Sequence, residues 1–241
     1  MRQALFGVRC DYQISLHCVG LSLGSIQFDT AHAARIRRLV DDIDPALVSD
    51  HLSVSTLDGV YSNDLLPLPY TQDALDLMVQ HVDQAQTVLG RQMLIENPSR
   101  ALSWAHSTIP EHEFLAQLAQ RTGCGLLCDV NNIFVSAMNQ GADPLASLLS
   151  FPARYVREIH LAGHDTVELE GYPIRIDTHD RPVCADVWTL FEHACDLFGD
   201  QPVLVEWDSE LPELPILLDE ARRAAHTKSR LTHEVAHAAA S

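Results

Sequence analysis

Six times along this chain a short apolar run ends on or beside an ionisable residue of metal-binding type, and a stretch patterned as a helix follows. The six residues are His17, His51, Glu96, Asp129, His160 and Glu206. Taken singly, His17 or His51 is more often a satisfied core histidine, and Glu96 or Glu206 the partner of an arginine. Ionisable groups are depleted in buried strands, however, and one buried without a partner is costly, so six at corresponding positions indicate a shared purpose. Strand followed by helix, repeated in series, argues for parallel strands joined by right-handed crossovers. Such α/β folds collect their chemistry at the carboxyl ends of the strands.

The expected strands are Gln13 to Val19, Leu47 to Ser53, Gln92 to Ile95, Gly125 to Val130, Val156 to Leu161 and Val203 to Val205. No lead-in helix is expected before the first. Asp29 or Thr30 caps a helix to Asp41; a proline-rich loop from Leu65 to Tyr70 leads to Thr71, which caps a long helix stopped by Gly90. In that helix Leu75, Met78, Val82, Ala85 and Leu89 recur at helical spacing. Further helices are expected from Pro110 to Thr122, from Asp143 to Ser150, from Pro182 to Phe198 and from Pro212 to His226, and Asn131 and Asn132 come immediately after the fourth strand. One domain over residues 1–228 and a flexible tail over 229–241 complete the plan, with His233 and His237 in that tail.

The densest polar stretch runs from Glu158 to Asp180, a strand followed by a long polar loop. His160, His164, Asp177 and His179 fall at or beyond the strand's carboxyl end, and the Asp177-x-His179 spacing turns both side chains of an extended segment to one side. Imidazoles with carboxylates are the ligand set of zinc, manganese and non-haem iron.

A chain of 241 residues with 46% apolar content can bury a sizeable core. Its formal charge of −17 repels a phosphate-rich partner, so nucleic acid is not expected. The six cysteines form no C-x-x-C pair, and there is neither a secretory signal nor an apolar run long enough to span a bilayer. Reduced thiols and a cytoplasmic location without membrane contact are the expectation.

Seven motifs in order, SLHCVGLSLGS (Ser15 to Ser25), SDHLSVS (Ser49 to Ser55), LIENPS (Leu94 to Ser99), GCGLLCDVNN (Gly123 to Asn132), EIHLAGH (Glu158 to His164), IDTHDRPV (Ile176 to Val183) and LVEWD (Leu204 to Asp208), together resemble one family. It is the multinuclear non-haem iron oxidases, also called domain of unknown function 692, which includes the iron enzyme of methanobactin biosynthesis. The resemblance implies a TIM-type (β/α) barrel, similar in architecture to xylose isomerase and endonuclease IV. It also implies two or three iron ions, dioxygen as oxidant, and modification of cysteine in a ribosomally made precursor peptide that a separate partner protein recognises. Carried over by position, His17, His51 and Glu96 hold one iron, and Glu96 bridges to a second held by Asp129, His160 and Glu206. Asn132, Asp177 and His179 match a third position, and His164 and Asp208 take supporting or substrate roles. Family members begin with two further strand–helix units, so six of eight units are expected here, an incomplete barrel with open edges.

Two other functions fit the same residues. A metal-dependent hydrolase of the endonuclease IV type would use two cations to activate water against a phosphodiester, but the acidic charge and Asn132, where the related phosphodiesterases carry histidine, count against it. A truncated barrel could also bind metal without turnover.

Overall fold

A computed structural model describes residues 2–57 and 59–239, with the side chains of Arg2 and of residues 232–239 outside the described set. By its contacts the chain divides into two compact units. One comprises residues 1–98 and 104–126, the other residues 99–103 and 127–241.

The first unit holds α1 (Arg2–Asp11), β1 (Ser15–His17), α2 (Thr30–Ile43), β2 (Leu47–His51), β3 (Ser53–Leu57), β4 (Val60–Pro67), α3 (Gln72–Leu89), β5 (Leu94–Glu96) and α4 (Glu111–Thr122). β6 (Gly125–Asp129) begins in this unit, where the Gly125 amide donates to the Met93 carbonyl, and carries the chain into the second. Strands β1, β2 and β5 are parallel, with His17 opposite Ser49 and His51 opposite Glu96. Opposed residues share a face and alternate residues return to it, so His17, Ser49, His51 and Glu96 project to the same side of the sheet.

The helices form where the sequence places caps. Asp29 accepts from the His32 amide at the start of α2, and Thr71 accepts from the Ala74 amide at the start of α3. Gly90 and Gly123 end α3 and α4 in the left-handed conformation that glycine adopts without penalty. Ala33, Ile36, Val40 and Ile43 form the buried stripe of α2, and Phe114, Leu115, Leu118 and Ala119 that of α4. Contrary to expectation a helix, α1, precedes β1. It is almost wholly exposed, so it has no apolar stripe, and the Arg9 guanidinium ties it to the Ile43 carbonyl at 3.0 Å.

The second unit holds α5 (Val130–Asn139), α6 (Pro144–Ser150), a short 3₁₀ turn, β7 (Val156–Ala162), β8 (Asp165–Leu169), β9 (Tyr172–Ile176), α7 (Ala185–Phe198), β10 (Val203–Glu206) and α8 (Leu214–Ala239). β7 and β10 are parallel, with His160 opposite Leu204 and Ala162 opposite Glu206, so Glu158, His160 and Glu206 share one face. The other face of β7 carries the fully buried Ile159 and Leu161.

Three expectations are corrected here. The strand expected to run to Val130 ends at Asp129, whose carboxylate accepts from the Asn132 amide at 2.6 Å and starts α5 at once, with Asn131 and Asn132 in its first turn. The polar loop expected after β7 holds an antiparallel hairpin, β8–β9, and the proline-rich loop expected from Leu65 begins as the end of β4 in a second hairpin, β3–β4. The helix expected to end at His226 runs to Ala239, because no glycine or proline follows to stop it and alanine, leucine and arginine are good helix formers. His233 and His237 lie on that extension, outside the described side chains.

Candidate metal centre

In the first unit three side chains converge on one point. The Nε2 atoms of His17 and His51 lie 3.2 Å apart, and they lie 3.1 and 3.3 Å from the same Glu96 oxygen, Oε2. With metal–ligand bonds of roughly 2.1 Å, neighbouring ligands on one ion stand about 3.0 Å apart in octahedral geometry and about 3.4 Å in tetrahedral geometry. All three separations fall in that interval, so the atoms present fit a single ion. Glu96 is 1% exposed, and a carboxylate so buried needs cationic partners. Two imidazoles and one carboxylate on one side of an ion form the facial set of non-haem iron.

Neighbours that the sequence reading did not single out hold these ligands in place. Ser49 Oγ lies 2.7 Å from His17 Nδ1, which turns Nε2 toward Glu96. Asp50, also buried, accepts from the Leu21 amide at 3.0 Å and from the His51 amide at 2.6 Å, anchoring the segment after β1 to the end of β2. A ligand's second nitrogen is ordinarily fixed by such contacts. A cavity of about 650 Å³ opens beside His17, with Gly20, His32, Ile36 and Tyr61 among its lining residues.

The second unit's cluster has a different composition. Asp129, His179 and Glu206 each offer an atom within 4.8 Å of the others. Glu206 Oε2 is 3.2 Å from His160 Nδ1 and 3.6 Å from His179 Nδ1. The two nitrogens of His179 face carboxylates, Nε2 at 2.7 Å from Asp177 and Nδ1 at 3.2 Å from Asp208. Burial alone would lower the His179 pKa, but the hydrogen bonds to Asp177 and Asp208 and the charges of Asp177 and Asp129 push it up to about 12. This protonated ring is the cation of a carboxylate-rich pocket, and a metal ion bound there would take over that role.

His179 itself has φ 49°, an uncommon conformation for a residue other than glycine. Three backbone hydrogen bonds hold it, from its amide to the Gly163 carbonyl at 3.0 Å and from the Asp208 and Ser209 amides to its own carbonyl at 2.7 and 3.3 Å. Gly163 cannot be larger, because a Cβ there would run into the Arg181 carbonyl.

His179 stands with Asp129 and Glu206, and Asp177 lies against His179 and Asn131, whose amide donates to it at 2.6 Å. Asn132 is buried in the first turn of α5. Asp208 contacts His179, and His164 contacts Asn131 at 2.7 Å, so both touch the cluster's periphery. The sequence reading missed Asn131, and it missed Glu158, a buried carboxylate whose Oε1 is 3.9 Å from His160.

Residues 1–229 match the family described as RiPP precursor modification enzyme MbnB/TglH/ChrH, where RiPP denotes a ribosomally synthesised, post-translationally modified peptide. The chain belongs to this family. A UPF0276 protein of Vibrio parahaemolyticus is 48% identical over 232 residues, covering 96% of this chain and 81% of the relative. Another, of Rhizobium meliloti, is 50% identical over 223 residues, covering 92% of this chain and 72% of the relative.

Among solved structures, a xylose isomerase domain-containing protein of Salmonella typhimurium aligns with TM-score 0.62 at 12% identity, over 93% of this chain and 80% of its own. D-psicose 3-epimerase of Clostridium cellulolyticum aligns with TM-score 0.58 at 10% identity, over 96% and 84%. The IolI protein, solved with a zinc atom, aligns with TM-score 0.53 at 16% identity, over 96% and 80%. These likenesses show the fold, a xylose isomerase-like TIM barrel, of which the described residues supply six strand–helix units. Among the described residues no helix is long and apolar enough to cross a membrane.

Proposed function

We propose that this protein is an iron-dependent oxidase that uses dioxygen to modify cysteine in a ribosomally synthesised precursor peptide, presented by a separate recognition protein in the cytoplasm. The observation that carries the reading is the 3.1–3.3 Å triangle of His17, His51 and Glu96, two imidazoles and one carboxylate aimed at one point. Membership of a family of RiPP-precursor modifying enzymes supplies the substrate class. Bound iron would supply affinity for a thiolate and a route for electrons from the substrate cysteine, which is oxidised, to dioxygen, which is reduced.

The chain's own residues do the rest. His17, His51 and Glu96 hold one ion, and Asp129, Glu206 and His179 hold another, with His160 beside Glu206. Ser49 orients the His17 imidazole, and Asp50 anchors the backbone at His51. In the first unit a cavity lies beside His17. None of the chain's own cysteines is placed to be the substrate: Cys18 and Cys128, the two next to candidate ligands, are buried, so the sulfur comes from the peptide.

The test incubates iron-loaded protein and its recognition partner with the precursor and its Cys→Ser variant under air. Dioxygen consumption and a mass change at cysteine with the first peptide alone are the expected outcome. Equal reaction of both peptides, or cleavage of a phosphodiester in a parallel assay, would sink the oxidase in favour of the hydrolase.

A further inference from the structure

Within the second unit, a line of hydrogen bonds leaves the candidate ligand His179 and ends on a histidine that the proposed function does not use. His179 Nε2 meets Asp177 Oδ1 at 2.7 Å, Asn131 Nδ2 donates to the same oxygen at 2.6 Å, and Asn131 Oδ1 lies 2.7 Å from His164 Nδ1. Asn131 is fully buried, so its amide does not turn freely. The chemistry of the partners fixes every proton in the line. A carboxylate only accepts, so the NH₂ of Asn131 must face Asp177; its oxygen then faces His164, and an amide oxygen also only accepts. His164 must therefore carry its proton on Nδ1. Its lone pair is on Nε2, an atom that meets no hydrogen-bond partner among the described residues and is not sealed from solvent.

We infer that His164 is the base that takes the thiol proton of the substrate cysteine, with Asn131 as the positioning residue that presents its Nε2 in the accepting form. The inference rests on the cysteine-substrate reading above. Phe134 packs against the imidazole with ring centroids 5.3 Å apart, and Arg175 lies over the other ring of that pair, so the base is held by packing as well as by Asn131. Asn139 fixes Arg175 in turn through two hydrogen bonds to its backbone, at 2.8 and 2.9 Å.

Burial first, then the charge of Arg175 and more weakly that of Arg181, holds the His164 imidazole below the usual histidine range against the opposing pull of Asp177 and Asp165. The ring is therefore neutral when substrate arrives, as a base must be. In the step itself the S–H bond breaks, an N–H bond forms at Nε2, and no electrons leave the pair. The thiolate and imidazolium that result carry opposite charges side by side, which stabilises both.

Proton counting tests this directly and does not depend on turnover. Iron-loaded protein is titrated without oxygen with a short peptide containing one cysteine, in two buffers of different ionisation enthalpy, and calorimetry gives the protons released per peptide bound. In the wild-type protein the thiol proton stays on His164 and net release is near zero. In His164→Phe, or in His164→Gln if the larger ring disturbs folding, about one proton per bound thiolate goes to the buffer, since binding a thiolate requires the thiol to lose its proton. Asn131→Leu frees the imidazole and gives intermediate release. Equal release from wild type and both His164 variants overturns the inference while leaving the cysteine reading intact. If wild type binds the cysteine peptide no better than its serine counterpart, the cysteine reading falls and takes the base with it.

Discussion

The two units hold clusters of opposite make-up. In the first, two imidazoles meet a single carboxylate at 3.1–3.3 Å, and the groups behind them, Ser49 and Asp50, are short side chains of the same strand. In the second, His179 stands among Asp129, Asp177, Glu206 and Asp208, and its closest carboxylates are supplied by the loop after β9 and the segment after β10. A site built within a sheet gets its geometry from strand register, because the register that pairs His51 with Glu96 also aims them together. A site built on loops needs backbone pins, here the Gly163 and Asp208 hydrogen bonds about His179. The first cluster should thus depend on its ligands, and the second on its scaffold.

The largest effect should come from removing the only carboxylate of the first cluster. Glu96→Ala is expected to weaken metal binding by at least ~100-fold, beyond the range seen for losing an outer partner, whereas Glu206→Ala costs less because Asp129 and Asp177 remain near His179. Asn132→Ala should cost least of the three. Metal titration of chelator-stripped protein checks the order, and an equal loss in Glu96→Ala and Asn132→Ala would break the contrast between the units.

Next is Gly163→Ala, which changes no ligand. The added methyl must displace the Arg181 backbone, and with it the loop carrying Asp177 and His179. Overpacking of this kind costs about 1–3 kcal/mol. The variant should unfold at lower denaturant concentration and bind less metal in the second unit while the first keeps its affinity. A variant with wild-type stability and full metal content would show that the loop is not pinned at Gly163.

What could be read in advance follows the same division. The six main strands were legible because each is a short apolar run closing on an ionisable residue, and α3 because Thr71 and Gly90 bracket a clean apolar stripe. The hairpins were not, although both carry a glycine at positive φ: Gly59 between β3 and β4, and Gly171, after Glu170, between Leu169 and Tyr172. Four of the five residues of β8 are exposed, so no alternation marked it as a strand. Helix α5 hid for the converse reason. It is buried on nearly all sides from Val130 to Ala137 and so lacks a stripe, and in the sequence its cap, Asp129, reads as a ligand. The clusters' outer partners were out of reach because Ser49 and Asn131 matter through neighbours 32 and 46 residues away in sequence.

A subtler substitution separates ligand from support in the first unit. Ser49→Ala removes the hydroxyl at His17 Nδ1 and leaves all three ligand atoms in place. Loss of an outer partner of this type costs roughly 10-fold to 100-fold in metal affinity, and the lower end is expected because the strand backbone still aims His17. A loss as large as that of Glu96→Ala would mean that register alone does not set the geometry.

The smallest effect concerns the thiols beside the candidate ligands, one in each unit. Cys18 follows His17 and Cys128 precedes Asp129, yet both are buried, and burial, followed by the charge of Asp50, pushes the Cys18 thiol up to about 12. A thiol held protonated is a poor nucleophile. Timed alkylation of the native protein should therefore mark the exposed Cys10 first and leave Cys18 and Cys128 untouched until denaturant is added. The same shift means that the folded state binds the Cys18 proton more tightly than the unfolded chain does. Its contribution to stability is fully present below the ordinary thiol value and is lost as pH rises toward about 12. Denaturant midpoints of wild type and Cys18→Ala should accordingly converge as alkaline pH increases. Labelling of Cys18 at the rate of Cys10 in native protein would place a reactive thiol beside His17, and the requirement that the substrate bring the sulfur would no longer hold.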